Sequence, residues 1–325
     1  MYKTLITGIT GMVGSHLADF LLANTEWDIF GMCRWRSPLD NVEHLLDRAN
    51  RHDRVHFLYG DLNDYASLVN VVEECRPDYV FHLAAQSYPT TSFTSPLDTL
   101  ETNILGTERL LEVLRKCKGI DPVIHVCSSS EVFGRVPRER LPIREDCSYH
   151  PASPYAISKI GTDLLSRFHA EAYKQKCVST RMFTHTGPRR GDVFAESTFA
   201  KQIAEIEKGL KKPEVLVGNL DARRDYTDVR DMVKAYYLAV QKCQSGDVYN
   251  IASGKSWRIG DVLDLLLSMS KVKIKVIQDK SRLRPSDVEV LVGDATKFKK
   301  QTHWKPEIPF EKTMADLLNY WRERV

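Results

Sequence analysis

A chain of 325 residues with 46 basic and 43 acidic side chains, net charge +3, has length for a large core and a smaller partner, and its mixed charges exclude a nucleic-acid or membrane face. Seven cysteines, an odd count without Cys-x-x-Cys spacing, speak against a zinc site and for free thiols in a reducing cytosol. No apolar run approaches the roughly 18 residues of a membrane span and no signal-like segment precedes the first strand, so the expectation is a soluble, cytoplasmic protein acting on small anionic molecules.

In chain order, Lys3 to Thr7 is a short apolar run, followed by Gly8-Ile-Thr-Gly11-Met-Val-Gly14 and then Leu17, Leu21 and Leu22 at helical spacing. This reads as strand, glycine turn, helix. Such a turn brings the N–H groups of a helix N-terminus, here around Met12 and Val13, up to a pyrophosphate, and Gly8, Gly11 and Gly14 leave room for the approach. Dinucleotide binding is the prediction. The next run, Asp28 to Cys33, predicts a second strand whose end meets the adenosine ribose. An acid there accepts from a free 2′-hydroxyl, whereas a cation accommodates a 2′-phosphate. Arg34 and Arg36 flank Trp35 with no acid among them, which favours NADP over NAD; the bland alternative is a pair of solvated arginines. Phe57 to Leu62 ends another strand, with Asp61 and Leu62 placed toward the adenine. Tyr79 to Ala85 is nearly all apolar, as a strand buried on both faces requires, and Leu83, Ala84 and Ala85 end it on the cofactor side.

A helix from Asn103 to Cys117 and a strand from Val123 to Cys127 lead into Ser128-Ser-Ser-Glu-Val-Phe-Gly134. The alternation implies an α/β class with a Rossmann-like doubly wound parallel sheet, whose ligands bind at the carboxyl ends of the strands. Further on, Ser153 and Pro154 suit a helix N-cap and first position, which puts Tyr155 and Lys159 on one helical face. A free tyrosine titrates near about 10, so its use as a base at neutral pH needs a shift of about three units, roughly 4 kcal/mol, which a neighbouring cation largely supplies. Such a pair also arises by chance on solvated helix faces; the glycine turn upstream favours the catalytic reading. In the second half, Tyr226 to Val240 reads as an amphipathic helix, Asp247 to Ile251 as a last sheet strand, Ile259 to Met269 and Phe310 to Tyr320 as core-facing helices, and Trp304 and Trp321 as packing residues of the small domain. The expected division is a cofactor-binding domain of residues 1–182 and 223–252 and a smaller mixed α/β substrate domain of 183–222 and 253–325.

With the glycine turn, the serine-rich strand end and Tyr-x-x-x-Lys in this order, the chain resembles the extended short-chain dehydrogenase/reductase superfamily over essentially its whole length. Thr186-Gly-Pro-Arg-Arg-Gly191, Val217 to Asp225, Tyr226-Thr-Asp-Val-Arg-Asp231 and Leu283 to Asp287 narrow the resemblance to the GDP-mannose 4,6-dehydratase and GDP-4-keto-6-deoxymannose reductase sub-group. The resemblance implies a GDP-sugar substrate, with Ser129, Glu131, Tyr155 and Lys159 catalytic and Glu131 favouring dehydration. Arg189 and Arg190, in an extended loop beside Gly187 and Gly191, are placed to reach a cofactor phosphate, and the resemblance adds His185 to that site. Ser87, Ser129, Ser130, Glu131, Thr184, Val217, Asn219, Arg224, Arg284 and Asp287 are the substrate candidates. Without the resemblance, surface ion pairs are the simpler reading of those arginines. Two residues depart from the family pattern: Phe133 for a tyrosine, expected to remove a hydroxyl near the substrate, and Thr184 for an asparagine, which leaves a GDP-heptose open. The reductase, a GDP-sugar 4-epimerase and a redox-sensing binding protein stand as alternatives. A homodimer or homotetramer is expected, paired through helices around Thr99 to Cys117 and Tyr155 to Tyr173, and no metal site is expected.

Overall fold

In the computed structural model, which describes residues 1–283 and 288–325, the first half alternates strands and helices with short connections. Strand β1 (Lys3–Thr7) leads into helix α1 (Met12–Asn24), then β2 (Asp28–Cys33), the short α2 (Leu46–Asn50), β3 (Val55–Tyr59), α3 (Tyr65–Cys75) and β4 (Tyr79–His82). Short helices α4 (Pro89–Thr94) and α5 (Pro96–Leu100) run through a π-helical turn, Glu101–Leu105, into α6 (Gly106–Lys116). The helix expected from Asn103 is thus longer at its start and interrupted by that turn. Strand β5 (Val123–Cys127) and helix α7 (Pro154–Tyr173) come next, followed by β6 (Lys176–Met182). Asp64 caps α3 by accepting from Ala66 N, so a turn-favouring side chain starts that helix.

The second half contributes β7 (Thr184–Thr186), α8 (Ala195–Glu207), β8 (Glu214–Val217), β9 (Arg223–Asp228), α9 (Val229–Lys242) and β10 (Val248–Ile251). Then come β11 (Ser256–Arg258), α10 (Ile259–Ser268), β12 (Lys275–Gln278), β13 (Val290–Leu291), α11 (Thr296–Thr302) and α12 (Phe310–Arg324). Tyr226 to Asp228, expected to open a helix, instead end strand β9, and Asp228 caps α9 through Arg230 N. Alternating in-out burial and helical periodicity are hard to tell apart over so few residues.

Seven strands form one parallel sheet in the order β10-β6-β5-β4-β1-β2-β3. Helices cover both faces. One apolar layer joins Ile6 and Phe81 to α1, α9 and α11, and the other joins Leu5, Val80 and Ile124 to α3 and α6. These sheet residues have no exposed surface, and each fully buried side chain of this kind contributes about 1.5–3 kcal/mol. A second core unites α8, β8, β9, α10 and α12 beside the carboxyl ends of the strands. Trp321 packs there, but Trp304 belongs to the large-sheet layer: its indole donates to Asp231 O at 3.0 Å and stands edge-on to Phe298. Amphipathicity marks a residue as buried without saying which layer receives it.

Candidate active site

Where the carboxyl ends of the parallel strands face the second core, a cleft of about 670 Å³ opens. The glycine turn forms one end of it. Gly8 has φ +74°, and a Cβ there would lie 3.0 Å from the backbone of Ala84; a Cβ at Gly14 would lie 2.4 Å from Gly8 O. No side chain caps α1 and its first turn carries no acid, so the helix N-terminus is free to face an anion. This combination fits a dinucleotide pyrophosphate.

The middle of the cleft is set by α7 and the end of β5. Ser153 caps α7 by accepting from Ala156 N at 3.1 Å, with Pro154 in the first position, and this local start fixes Tyr155 and Lys159 on the face turned to β5. Both are buried, as are Ser129 and Ser130, while Glu131 is half-buried on the wall. The Ser129 hydroxyl lies near the Tyr155 phenol and accepts from Glu131 N at 3.2 Å. Lys159 Nζ donates to Cys127 O at 2.7 Å, and Ser128 donates to Lys159 O at 3.3 Å. Burial raises the Tyr155 phenol, with the nearby Cys127 and Glu131 adding to the effect, against a weaker opposing influence from Ser129 and Arg190. Burial likewise depresses the Lys159 ammonium. The spacing argument has the lysine lower the tyrosine; in the folded chain desolvation dominates both groups.

The far wall comes from β7, α8 and the segment around Asn219. Arg190 stacks on Phe194, its guanidinium carbon 3.4 Å from the ring centroid, and its Nε donates to the buried Glu196 at 3.3 Å. Burial, then the Arg190 charge, pulls His185 down to about 3. Arg189 instead reaches away to Asp19 at 2.6 Å, beside the His16 contact to Pro188 O at 3.1 Å.

Comparison with known proteins bears on this geometry. Residues 5–317 match the family model described as GDP-mannose 4,6 dehydratase. The chain belongs to the GDP-mannose 4,6-dehydratase family. Relatives include a GDP-6-deoxy-D-mannose reductase of Pseudomonas aeruginosa, 32% identical over 99% of this chain and 98% of that one. GDP-mannose 4,6 dehydratase 1 of Arabidopsis thaliana is 35% identical over 97% of this chain and 88% of the other. The structure of RMD from Pseudomonas aeruginosa complexed with NADPH superposes with TM-score 0.84 at 31% identity, covering 99% and 100% of the two chains.

Within this dehydratase-family chain, the cleft brings together Gly8, Gly11, Met12, Val13, Gly14, Leu83, Ala85, Ser87, Ser129, Ser130, Glu131, Tyr155, Lys159, Thr184, His185, Arg190, Asn219 and Arg224. Others stand back from its lining. Arg34 and Arg36 are exposed in the turn after β2, and Trp35 between them is edge-on to Tyr59. Asp61 accepts from Asn63 N within its own loop, and Leu62 is buried under Gly106. Ala84 packs on Gly8, and the Val217 side chain is in the second core while its neighbours Leu216 and Gly218 line the cleft. Arg224 donates to Val288 O at 2.8 Å. Arg284 and Asp287 lie outside the described residues. Phe133 corrects an expectation: it is wholly buried among Val132, Ile143 and Phe183, beneath the Arg181 guanidinium, so its missing hydroxyl changes the core and not the cleft wall. Sequence reasoning passed over Tyr88, Phe194, Glu196, Tyr226 and Arg282, all lining residues. Glu196 reads along the chain as an ordinary acid in a first helical turn, and only the fold sets Arg190 against it.

Proposed function

We propose that this chain is an NADP-dependent 4,6-dehydratase of GDP-mannose or a related GDP-sugar. The observation that carries the reading is the Glu131 carboxylate on the cleft wall beside Ser129, Tyr155 and Lys159, because oxidoreduction at C4 alone needs only the latter three. Bound against the glycine turn, an oxidised nicotinamide dinucleotide supplies a positive charge and a hydride acceptor for C4, and later the hydride for C6. Tyr155 takes the C4 hydroxyl proton, and the Ser129 hydroxyl hydrogen-bonds the same oxygen. Lys159 contributes positive charge from behind, held by Cys127 O. The resulting C4 ketone acidifies the C5 proton. Glu131 takes that proton and passes it to the C6 hydroxyl, which leaves as water; the hydride held by the cofactor would then return at C6 while C5 regains a proton, equivalent to the one that Tyr155 took from the C4 hydroxyl. The GDP-4-keto-6-deoxy sugar leaves with the cofactor as it began.

Arg34 and Arg36 would meet a 2′-phosphate, which favours NADP. His185 and Arg190 would border the nicotinamide, while Thr184, Asn219 and Arg224 would face the sugar nucleotide. The large-sheet part then serves the cofactor and the second core the substrate. The reading includes a homodimer or homotetramer: Ile157, Leu164 and Phe168 lie at helical spacing on α7 with about half their surface exposed (50%, 47% and 49%), beside Leu105 at 47%.

A second reading, the NADPH-dependent reductase, is favoured by the Pseudomonas aeruginosa relative, which matches at nearly full length of both chains. GDP-mannose deuterated at C4 separates them. The dehydratase carries the label to C6 of its product; the reductase leaves this substrate untouched and consumes NADPH with the 4-keto-6-deoxy sugar nucleotide.

A further inference from the structure

Beneath the cleft runs a chain of buried hydrogen bonds whose polarity the geometry fixes. Thr7 Oγ1 accepts from Leu83 N and Ala84 N, both at 3.1 Å, and lies 3.0 Å from His82 Nδ1. A hydroxyl has two lone pairs and one proton. Its lone pairs are taken by two backbone N–H groups, so its proton must point to His82 Nδ1. The imidazole is therefore bare at Nδ1 and carries its proton on Nε2, which donates to Thr107 Oγ1 at 2.9 Å. Thr107 in turn donates to Asn103 O at 2.6 Å. Asn103 sits in the π-helical turn before α6; its Nδ2 donates to Ser158 Oγ at 2.9 Å, and Ser158 donates to Tyr155 O at 2.7 Å. Thr7, His82, Thr107, Asn103 and Ser158 have 3% or less of their surface exposed. The series begins one residue before Gly8 and ends on the backbone of the tyrosine.

We propose that His82, as a neutral imidazole protonated on Nε2, is a positioning residue that fixes the glycine turn and the end of β4 relative to the catalytic helix. A protonated ring would turn a second N–H toward a hydroxyl with no lone pair left, and the opposite tautomer would face Thr107 with no donor. The inference rests on the proposed function for its kinetic consequence only, since a misplacement of cofactor against Tyr155 slows the chemical step more than it weakens binding.

The test is 15N-histidine NMR of the unaltered full chain together with kinetics of four variants. The His82 signals, assigned by their loss in His82→Leu, are expected to show Nε2 protonated and Nδ1 bare at neutral pH; a proton on Nδ1 overturns the proposal. On the sugar nucleotide that the wild type turns over, His82→Leu and Thr107→Val are each expected to lower kcat about tenfold to a hundredfold, with cofactor and substrate affinity within a few-fold. The double variant is expected to lose no more than either single one, and His82→Gln, which keeps a donor toward Thr107, to recover part of the loss. Unchanged kcat in protein that has lost only thermal stability, or additive losses, contradicts the positioning role. The NMR is read without substrate. A wrong sugar assignment therefore fails in the wild-type assay and leaves the tautomer to decide.

Discussion

Replacing the Tyr155 hydroxyl by hydrogen, Tyr155→Phe, removes the proposed proton acceptor but leaves the Lys159 amine on Cys127 O at the end of β5 and the Ser129 hydroxyl on Glu131 N just beyond it. Turnover is expected to fall by about 10²- to 10⁴-fold with cofactor affinity by titration calorimetry within a few-fold. Unchanged turnover would remove Tyr155 from the mechanism. Glu131→Gln keeps the shape of the wall and deletes the base, so C4 oxidation proceeds and water loss stops. Reduced nicotinamide absorbance is expected to accumulate in a single turnover, which the wild type does not show. The register of Tyr155 and Lys159 was legible because a local cap, Ser153 with Pro154, starts the helix. The tether of Lys159 was not, because its partner is a backbone carbonyl that no residue type announces. The same holds for Arg190 on Phe194 and Glu196, which meet only where the loop after β7 folds back.

At the scale of elements, β1, the glycine turn and α1 form a unit whose function depends on close backbone approach. A Cβ at Gly14 would meet Gly8 O at 2.4 Å, closer than real Cβ contacts allow, so Gly14→Ala displaces the turn. Cofactor affinity is expected to fall at least tenfold while α7 and its hydrogen bonds persist; unchanged affinity by calorimetry would place the dinucleotide elsewhere. This unit was readable because strand, turn and helix follow one another in the chain. The fate of Tyr226 to Asp228 was not, since they end β9 by pairing with β7, distant in sequence, while the start of that strand is held by the equally distant β11 and β13. Trp304 is the parallel case among helices, its layer chosen by α9 through Asp231 O.

For the whole molecule, buried neutral histidines tie stability to pH. Burial holds His82 and His125 down to about 3, the Lys159 charge assisting for both and the His82 charge for His125. In the unfolded chain both titrate near about 6.5, so between these values the unfolded state binds more protons and stability falls as pH falls. The loss amounts to about 2 kcal/mol for each histidine near pH 5, and a melting temperature constant from pH 7 to 5 would contradict it. The exposed apolar face of α7 predicts that Phe168→Glu dissociates an oligomer in light scattering without unfolding the chain; an unchanged mass would move the interface elsewhere. The most direct measurement is to incubate the purified protein with GDP-mannose and no added cofactor, reading product mass and reduced nicotinamide together. A product lighter by one water, with no net gain of reduced nicotinamide, is the predicted result. No product from GDP-mannose, with NADPH consumed when the 4-keto-6-deoxy sugar nucleotide is supplied, would contradict it and make Glu131 a binding residue.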